Sequence, residues 1–250
     1  MFNSNYIQKI QIDWNKIEAD SYLQKISAIK NLESLEIKKN ITIFVGENGT
    51  GKSTLLEAIA VAYGFNPEGG TLNYHFSTYD DVSELSDAIR LSKGFRKAGR
   101  NANYFFRAES FFNVASQAEE YRDTTPKEIY YSRYDGRSLH EQSHGESFLA
   151  YFQDFDQEGL YIMDEPEAAL SPQRQLSLFI QIVKMAKVGA QFIMATHSPI
   201  LLGIPNAEII SFDDGNIQKC QYEDTQSYQV MEMFINQRER MIDRLLTEDF

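Results

Sequence analysis

The segment Gly46-Glu-Asn-Gly-Thr-Gly-Lys-Ser53 fits the pattern G-x-x-x-x-G-K-[ST] without deviation. Glycines at these spacings let backbone N–H groups turn inward around an anion, and a helix starting at the end of the run adds the positive end of its dipole. The chemistry this pattern serves is triphosphate binding. Asn48, Gly49, Thr50, Gly51, Lys52, Ser53 and Thr54 form the cradle, the Lys52 ammonium reaches the β- and γ-phosphates, and the Ser53 hydroxyl is a ligand for Mg²⁺. A dinucleotide cradle would order its glycines G-x-G-x-x-G, whereas these run G-x-x-G-x-G.

A second group of side chains closes an apolar run. Leu160-Tyr-Ile-Met-Asp164-Glu165-Pro166 ends in two adjacent acids, an expensive arrangement for a buried strand unless the charges are used. Downstream of a phosphate loop the use is water activation: Asp164 holds Mg²⁺ through water and Glu165 polarises the attacking water as general base. Side chains alternate along a strand, so both acids reach one site only from its tip. Ala195-Thr196-His197-Ser198 follows a further apolar run and puts a histidine at the crevice where α/β sheets bind ligands. His197 is read as a γ-phosphate contact that positions the water, which makes Glu165, His197 and Lys52 the catalytic candidates.

These side chains need a frame of strands. Tyr6–Ile12 has partial alternation, while Ile41–Val45, Leu160–Met163 and Phe192–Ala195 are short continuous apolar runs of the buried parallel kind. Ser53–Tyr63 and Gln173–Ala186 have helical spacing, and Ala207–Phe212 with Ile217–Cys220 flank a turn at Asp213-Asp214-Gly215-Asn216, predicting a hairpin. Val82–Leu91 and Glu146–Phe155 read as helical and Tyr104–Phe106 as a strand; the chain closes on a helix carrying Val230, Phe234, Met241, Ile242, Leu245 and Leu246 near one stripe. Alternating strands and helices predict an α/β fold with a mainly parallel core sheet, N-terminal antiparallel strands, and a mostly helical segment inserted over about 80–150 of a single domain spanning 1–250.

In this order the elements resemble the ATP-binding cassette (ABC) class of P-loop ATPases, over about Ile41 to Phe212. Lys52 and Ser53 match its Walker A motif, Asp164 and Glu165 its Walker B motif, and His197 its H-loop. Ser143-His144-Gly145-Glu146-Ser147 falls where the class carries its LSGGQ signature, with His144 replacing a glycine and Glu146 a glutamine. Glu167-Ala-Ala-Leu170-Ser171 stands at the D-loop, with serine in place of aspartate. The resemblance implies ATP and Mg²⁺ as ligands and a head-to-tail homodimer in which Ser143, Gly145 and Glu146 of one subunit meet the γ-phosphate held by the other. Glu109 stands where the class has its glutamine loop and is read as a ligand of Mg²⁺ or its water, with Gln117 as the alternative. Trp14 and Tyr22 are both available to stack on adenine. At finer grain Arg107-Ala-Glu-Ser-Phe-Phe-Asn113 and Asp164-Glu-Pro-Glu-Ala-Ala-Leu-Ser-Pro-Gln-Arg174 resemble stand-alone bacterial ATPases close to SMC-like and RecF-like heads.

Composition bounds what remains. The chain has 250 residues, with 36 acidic against 24 basic and a formal charge of -12, which disfavours bulk electrostatic coating of nucleic acid. Arg90, Lys93, Arg96, Lys97, Arg100 and Arg107 nevertheless form a basic island without an acid; it would suit nucleic-acid phosphate or an acidic partner, or balance the chain's own acids. A single Cys220 excludes disulfide frameworks and points to a reducing cytoplasm. No apolar run reaches the ~18–20 residues of a membrane span, and the first residues lack a secretory signal pattern. The reading is therefore a cytoplasmic, non-membrane, Mg²⁺-dependent ATPase that dimerises on ATP. Two others fit the same residues: a nucleotide-gated module controlling a protein effector or a DNA-maintenance partner, and a transporter's nucleotide-binding subunit.

Overall fold

A computed structural model describes residues 4–72, 83–96, 102–109, 149, 152 and 158–247. Its strands are β1 (Ile7–Ile12), β2 (Ser34–Glu36), β3 (Ile41–Val45), β4 (Gly70–Thr71), β5 (Ile89–Lys93), β6 (Tyr104–Arg107), β7 (Leu160–Asp164), β8 (Gln191–Ala195), β9 (Glu208–Ser211) and β10 (Gln218–Cys220). The helices are α1 (Ser27–Lys30), α2 (Lys52–Tyr63), α3 (Glu84–Ala88), α4 (Pro172–Lys187), α5 (Pro199–Leu202), α6 (Gln226–Asn236) and α7 (Arg238–Thr247). Among the described residues seven strands form one sheet in the order β10-β9-β3-β8-β7-β6-β4, and β2-β1-β5 form a second. From β9 to β6 every pairing is parallel, with antiparallel β10 and β4 at the edges; the three-stranded sheet is antiparallel.

The period-2 pattern of the central strands explains the layering. Ile41, Ile43 and Val45 face one side of the large sheet, packed with Tyr161, Met163, Phe192 and Met194 under α4. Phe44, Ile162, Ile193, Ala195 and Ile210 face the other, where α2 and the small sheet complete the core. Strands buried on both faces have no polar alternation, which is why they read as continuous apolar runs. Gln191 joins the two sheets: its side-chain amide donates to the Ile7 carbonyl and its oxygen accepts the Ile7 N–H, both at 2.9 Å, so a buried polar side chain has its hydrogen bonds satisfied.

Two sequence expectations change. The helix expected over Val82–Leu91 is confined to Glu84–Ala88, after the Ser83 cap; from Ile89 the backbone is extended and pairs with β1, Ile89 opposite Ile12. Pairing to a distant strand overrides the local apolar spacing. The C-terminal helix is two helices, because Gln237 leaves helical geometry at φ -134° and ψ 38°, and no residue of either is buried. Within the segment expected to be a helical insertion, Leu149 and Phe152 are helical, and Phe152 is edge-on to Tyr161 and Phe192. Most of that segment lies outside the described residues.

The feature that matters for the site is the passage from β3 into α2. Gly51 caps α2 at φ +96°, and a Cβ there would lie 2.7 Å from both Ile26 Cγ2 and Ile29 Cδ1. The loop therefore lies directly on the α1 segment, with room for hydrogen alone. Gly51→Ala is expected to lower the urea midpoint by the equivalent of at least about 2 kcal/mol, combining left-handed strain with overpacking. Gly49, at φ +81° with nothing within 4 Å of its would-be Cβ, carries the strain without the clash. Gly49→Ala in the same titration should cost about 1 kcal/mol.

Candidate functional site

Four parallel strands deliver the site to one edge of the sheet, three of them carrying segments predicted from the sequence. β3 runs into the glycine loop, β7 ends at Asp164, β8 leads to Thr196-His197, and β9 leads to Phe212-Asp213. Register aligns the tips: Arg107 is level with Asp164, Asp164 with Ala195, and Ala195 with Phe44. This carboxyl-terminal edge, where the order steps from β8 to β3 to β9, is the position at which open α/β sheets hold ligands.

Lys52 is 5% exposed, and its Nζ donates to the carbonyls of Gly46 at 2.6 Å and Glu47 at 2.8 Å. Burial lowers its pKa, while the carboxylates of Glu165, Asp213, Asp164 and Glu167 hold it up. Thr50 Oγ1 donates to the Glu47 carbonyl at 2.8 Å, closing the turn from within. Gly46, Gly49 and Gly51 all have positive φ, so the loop needs glycine at each.

Ser53 Oγ donates to Asp164 Oδ1 at 2.9 Å, joining the start of α2 to the tip of β7. Burial pushes the Asp164 carboxyl up to about 6, against the lowering effect of the Ser53 bond and the Arg107 charge. Glu165 turns off the strand at φ +48°, its N–H donating to the Ala195 carbonyl at 2.9 Å. A non-glycine residue in the left-handed region costs about 1–3 kcal/mol. That turn ends the strand's alternation immediately after Asp164. His197 Nε2 is enclosed without a hydrogen-bond partner among the described residues, 4.0 Å from Glu165 Oε1. The His197 N–H donates to Glu167 Oε1 at 2.7 Å, and Glu167 Oε2 is buried without a partner among the described residues.

The oxygens of Ser53 and Asp164 suit Mg²⁺, a hard cation that takes one or two protein oxygens and completes its sphere with phosphate and water. Among the described residues no three His, Cys, Asp or Glu side chains gather as a metal cage. Glu109 is not drawn into the Ser53–Asp164 pair: its side chain is 86% exposed and lies 3.6 Å from Arg107, which binds Glu57 at 2.7 Å. Ser143, Gly145 and Glu146, with His144 and Gln117, lie outside the described residues.

Two cavities flank the loop. One, of about 480 Å³, is lined by Gly46, Asn48, Glu165, His197, Asp213 and Gln226. The other, of about 540 Å³, is lined by Lys25, Ser27, Asn48, Thr50, Asp213 and Gln229 among others. Neither Trp14 nor Tyr22 lines either cavity; the Trp14 indole donates to the Leu32 carbonyl at 3.0 Å and packs on the core. Ser171 caps α4, accepting the Arg174 N–H at 3.4 Å. In the basic island Arg90 pairs with Asp13, Arg96 with Glu158 and Arg107 with Glu57, while Lys93 lies over the Tyr63 ring. The three arginines are balanced by acids within the chain, while Lys93 rests on an aromatic face; Lys97 and Arg100 lie outside the described residues.

Sequence reasoning missed Asp213 and Gln226, and it placed Glu167 at the D-loop without its bond to the His197 N–H. Asp213 Oδ1 accepts the Glu47 N–H at 2.9 Å, and Gln226 Nε2 donates to Glu47 Oε1 at 3.3 Å. Asp213 was legible only as a hairpin turn residue, because its contact spans 166 positions.

The folded Asp164 carboxyl keeps its proton up to about pH 6, whereas an ordinary aspartate carboxyl loses it near 3.8. The group therefore opposes folding increasingly between those values and fully above them. In metal- and nucleotide-free buffer, Asp164→Asn is expected to be more stable than the parent by roughly 1–3 kcal/mol at pH 7.5, the gain disappearing near pH 4. Thermal melting at the two pH values checks this.

Comparison with known proteins agrees with the geometry. A family model described as an AAA domain matches residues 22–183, well over half of the chain. The flagellar biosynthesis protein FlhF of Borreliella burgdorferi is 31% identical over 94 residues, 32% of this chain and 24% of that protein, so the chain spans about a quarter of the length of this curated relative. Among solved structures, cbiO1 from Clostridium perfringens, part of the ABC transporter complex cbiONQ, superposes with a TM-score of 0.50 over 98% of this chain and all of that one. At 16% identity the likeness is one of fold. The chain belongs to the AAA-domain family of P-loop ATPases, with a fold of the ABC type.

Proposed function

We propose that this P-loop ATPase binds ATP with Mg²⁺, hydrolyses it by in-line attack of water on the γ-phosphate, and dimerises head-to-tail around the nucleotide. The single observation that carries the reading is the convergence on one sheet edge of the Lys52 loop, the Ser53–Asp164 pair and the Glu165–His197 pair. In this reading the Lys52 ammonium exchanges the carbonyls of Gly46 and Glu47 for phosphate oxygens. Mg²⁺, held by Ser53 and Asp164, would neutralise phosphate charge. The Glu165 carboxylate takes a proton from the attacking water, and His197 Nε2, without a partner among the described residues, donates to the γ-phosphate and orients it.

Glu165 is 47% exposed, so water competes for the base until something covers the site. A second subunit presenting Ser143, Gly145 and Glu146 supplies that cover in the proposed dimer. Glu109, beside Arg107, is proposed to act on Mg²⁺ through water. No helix among the described residues is long and apolar enough to cross a membrane. The nucleotide-gated module has support of its own: Gln226, which touches the loop, begins a helix whose Val230, Met233 and Ile235 are at least half exposed. That reading expects one turnover followed by a long-lived bound state.

Glu165→Gln is expected to lower kcat about 10²–10⁴-fold and to trap an ATP-bound dimer, doubling the mass seen by light scattering with Mg²⁺–ATP. Normal turnover in that variant would remove Glu165 as base. Lys52→Ala should abolish ATP binding in calorimetry. Glu109→Gln should raise the Mg²⁺ concentration needed for half-maximal hydrolysis, and an unchanged Mg²⁺ titration would take Glu109 out of the metal site.

A further inference from the structure

We propose that Asp213 is the positioning residue of the phosphate loop: its carboxylate anchors the entry turn at Glu47, so that the main-chain donors beyond it face the triphosphate. This deepens the ATP-binding reading and rests on it. Three positive-φ glycines give the loop the shape it needs and also the freedom to lose that shape. Its far end is fixed by Gly51 against Ile26 and Ile29 and by α2. Its near end needs a separate fixture, and Glu47 is the hub there. The Glu47 N–H goes to Asp213, its carbonyl accepts from Thr50 Oγ1 and Lys52 Nζ, and its carboxylate accepts from Gln226. When Lys52 turns to phosphate, the Asp213 bond is the tether that holds the Glu47 main chain from outside the loop, whereas Gln226 reaches only its side chain.

The carboxylate is itself aimed. Phe212 N–H donates to the Val45 carbonyl at 2.8 Å, carrying the parallel ladder one residue past β9, so Asp213 emerges level with the start of the loop. Its N–H donates to Ser211 Oγ at 3.1 Å, and Ser211 Oγ donates to Asp213 Oδ2 at 3.0 Å, leaving Oδ1 for the Glu47 N–H at 2.9 Å. Gly46 makes room: a Cβ there would stand 3.0 Å from Asp213 Oδ1 and 3.2 Å from Phe212 Cβ. Asp213 also lines both cavities, where a carboxylate with no donors would repel a triphosphate. With one donor on each oxygen, its charge is directed into the fold.

The test compares Asp213→Ala, which removes both acceptors, with Asp213→Asn, whose amide oxygen can still accept from Glu47 while its nitrogen faces Ser211. Asp213→Ala is expected to raise KM for ATP at least tenfold and to lower kcat by much less, and Asp213→Asn to bring KM back within threefold of the parent. An unchanged or lower KM in the alanine variant, or an equal rise in both, overturns the proposal. If the alanine variant does not fold, Ser211→Ala replaces it, with a KM rise of a few fold expected and an unchanged KM overturning the proposal. A parent protein that binds no ATP in calorimetry fails the underlying reading; a parent that binds it while these variants bind equally well fails this inference alone.

Discussion

A main chain that must point several N–H groups at one anion cannot also be a regular strand or helix, and this constraint shapes everything around Gly46–Lys52. The chain leaves β3, buried along its whole length, and enters α2, whose first residue Lys52 is also buried. Between them Gly46, Gly49 and Gly51 take backbone angles closed to most side chains. Such a turn has little intrinsic stability. Its shape is imposed from outside: by the Ile26 and Ile29 side chains under Gly51, and by the β9–β10 hairpin beside Gly46. The parallel sheet matters here as a jig that holds β3, β7, β8 and β9 at fixed spacing, so that four unrelated loops meet.

The site is electrostatically uneven. Lys52 is buried among four carboxylates, those of Glu165, Asp213, Asp164 and Glu167, and it satisfies its ammonium with loop carbonyls. Asp164 keeps its proton to about pH 6 because burial outweighs the help of Ser53 and Arg107. Among the described residues His197 Nε2 and Glu167 Oε2 are enclosed without partners. Buried polar atoms are rarely left this way, and a concentration of them in one crevice is a functional signature. Polyphosphate with a divalent cation has the complementary chemistry: acceptors for Lys52 and His197, and positive charge for Asp164.

Strands buried on both faces were easy to read, since Ile41–Val45 carries enough apolar side chains to declare itself and matches the observed β3 residue for residue. Local reading failed where a distant partner decided the outcome. Ile89–Leu91 closes the segment read as a helix, yet β1 draws it into an antiparallel sheet. Val230 through Leu246 has one stripe on paper, but Gln237 breaks the helix and both halves stay exposed. The basic island left two readings open, an anion-binding surface or a balance for the chain's own acids, and only the fold shows Asp13, Glu57 and Glu158, scattered along the chain, standing beside Arg90, Arg107 and Arg96.

The amino-acid sequence by itself determined that a phosphate loop, a double-acid strand end and a strand-end histidine exist in that order, because each is a local pattern whose chemistry survives any arrangement of the rest. Tertiary structure alone decided that Ser53 meets Asp164 across 111 positions, that Glu165 turns aside at positive φ, and that Asp213 holds Glu47. Those outcomes depend on strand order and register, which set which loop tips share an edge. Order and register follow from how two apolar faces of a sheet find cover, a property of the whole chain that no short window contains.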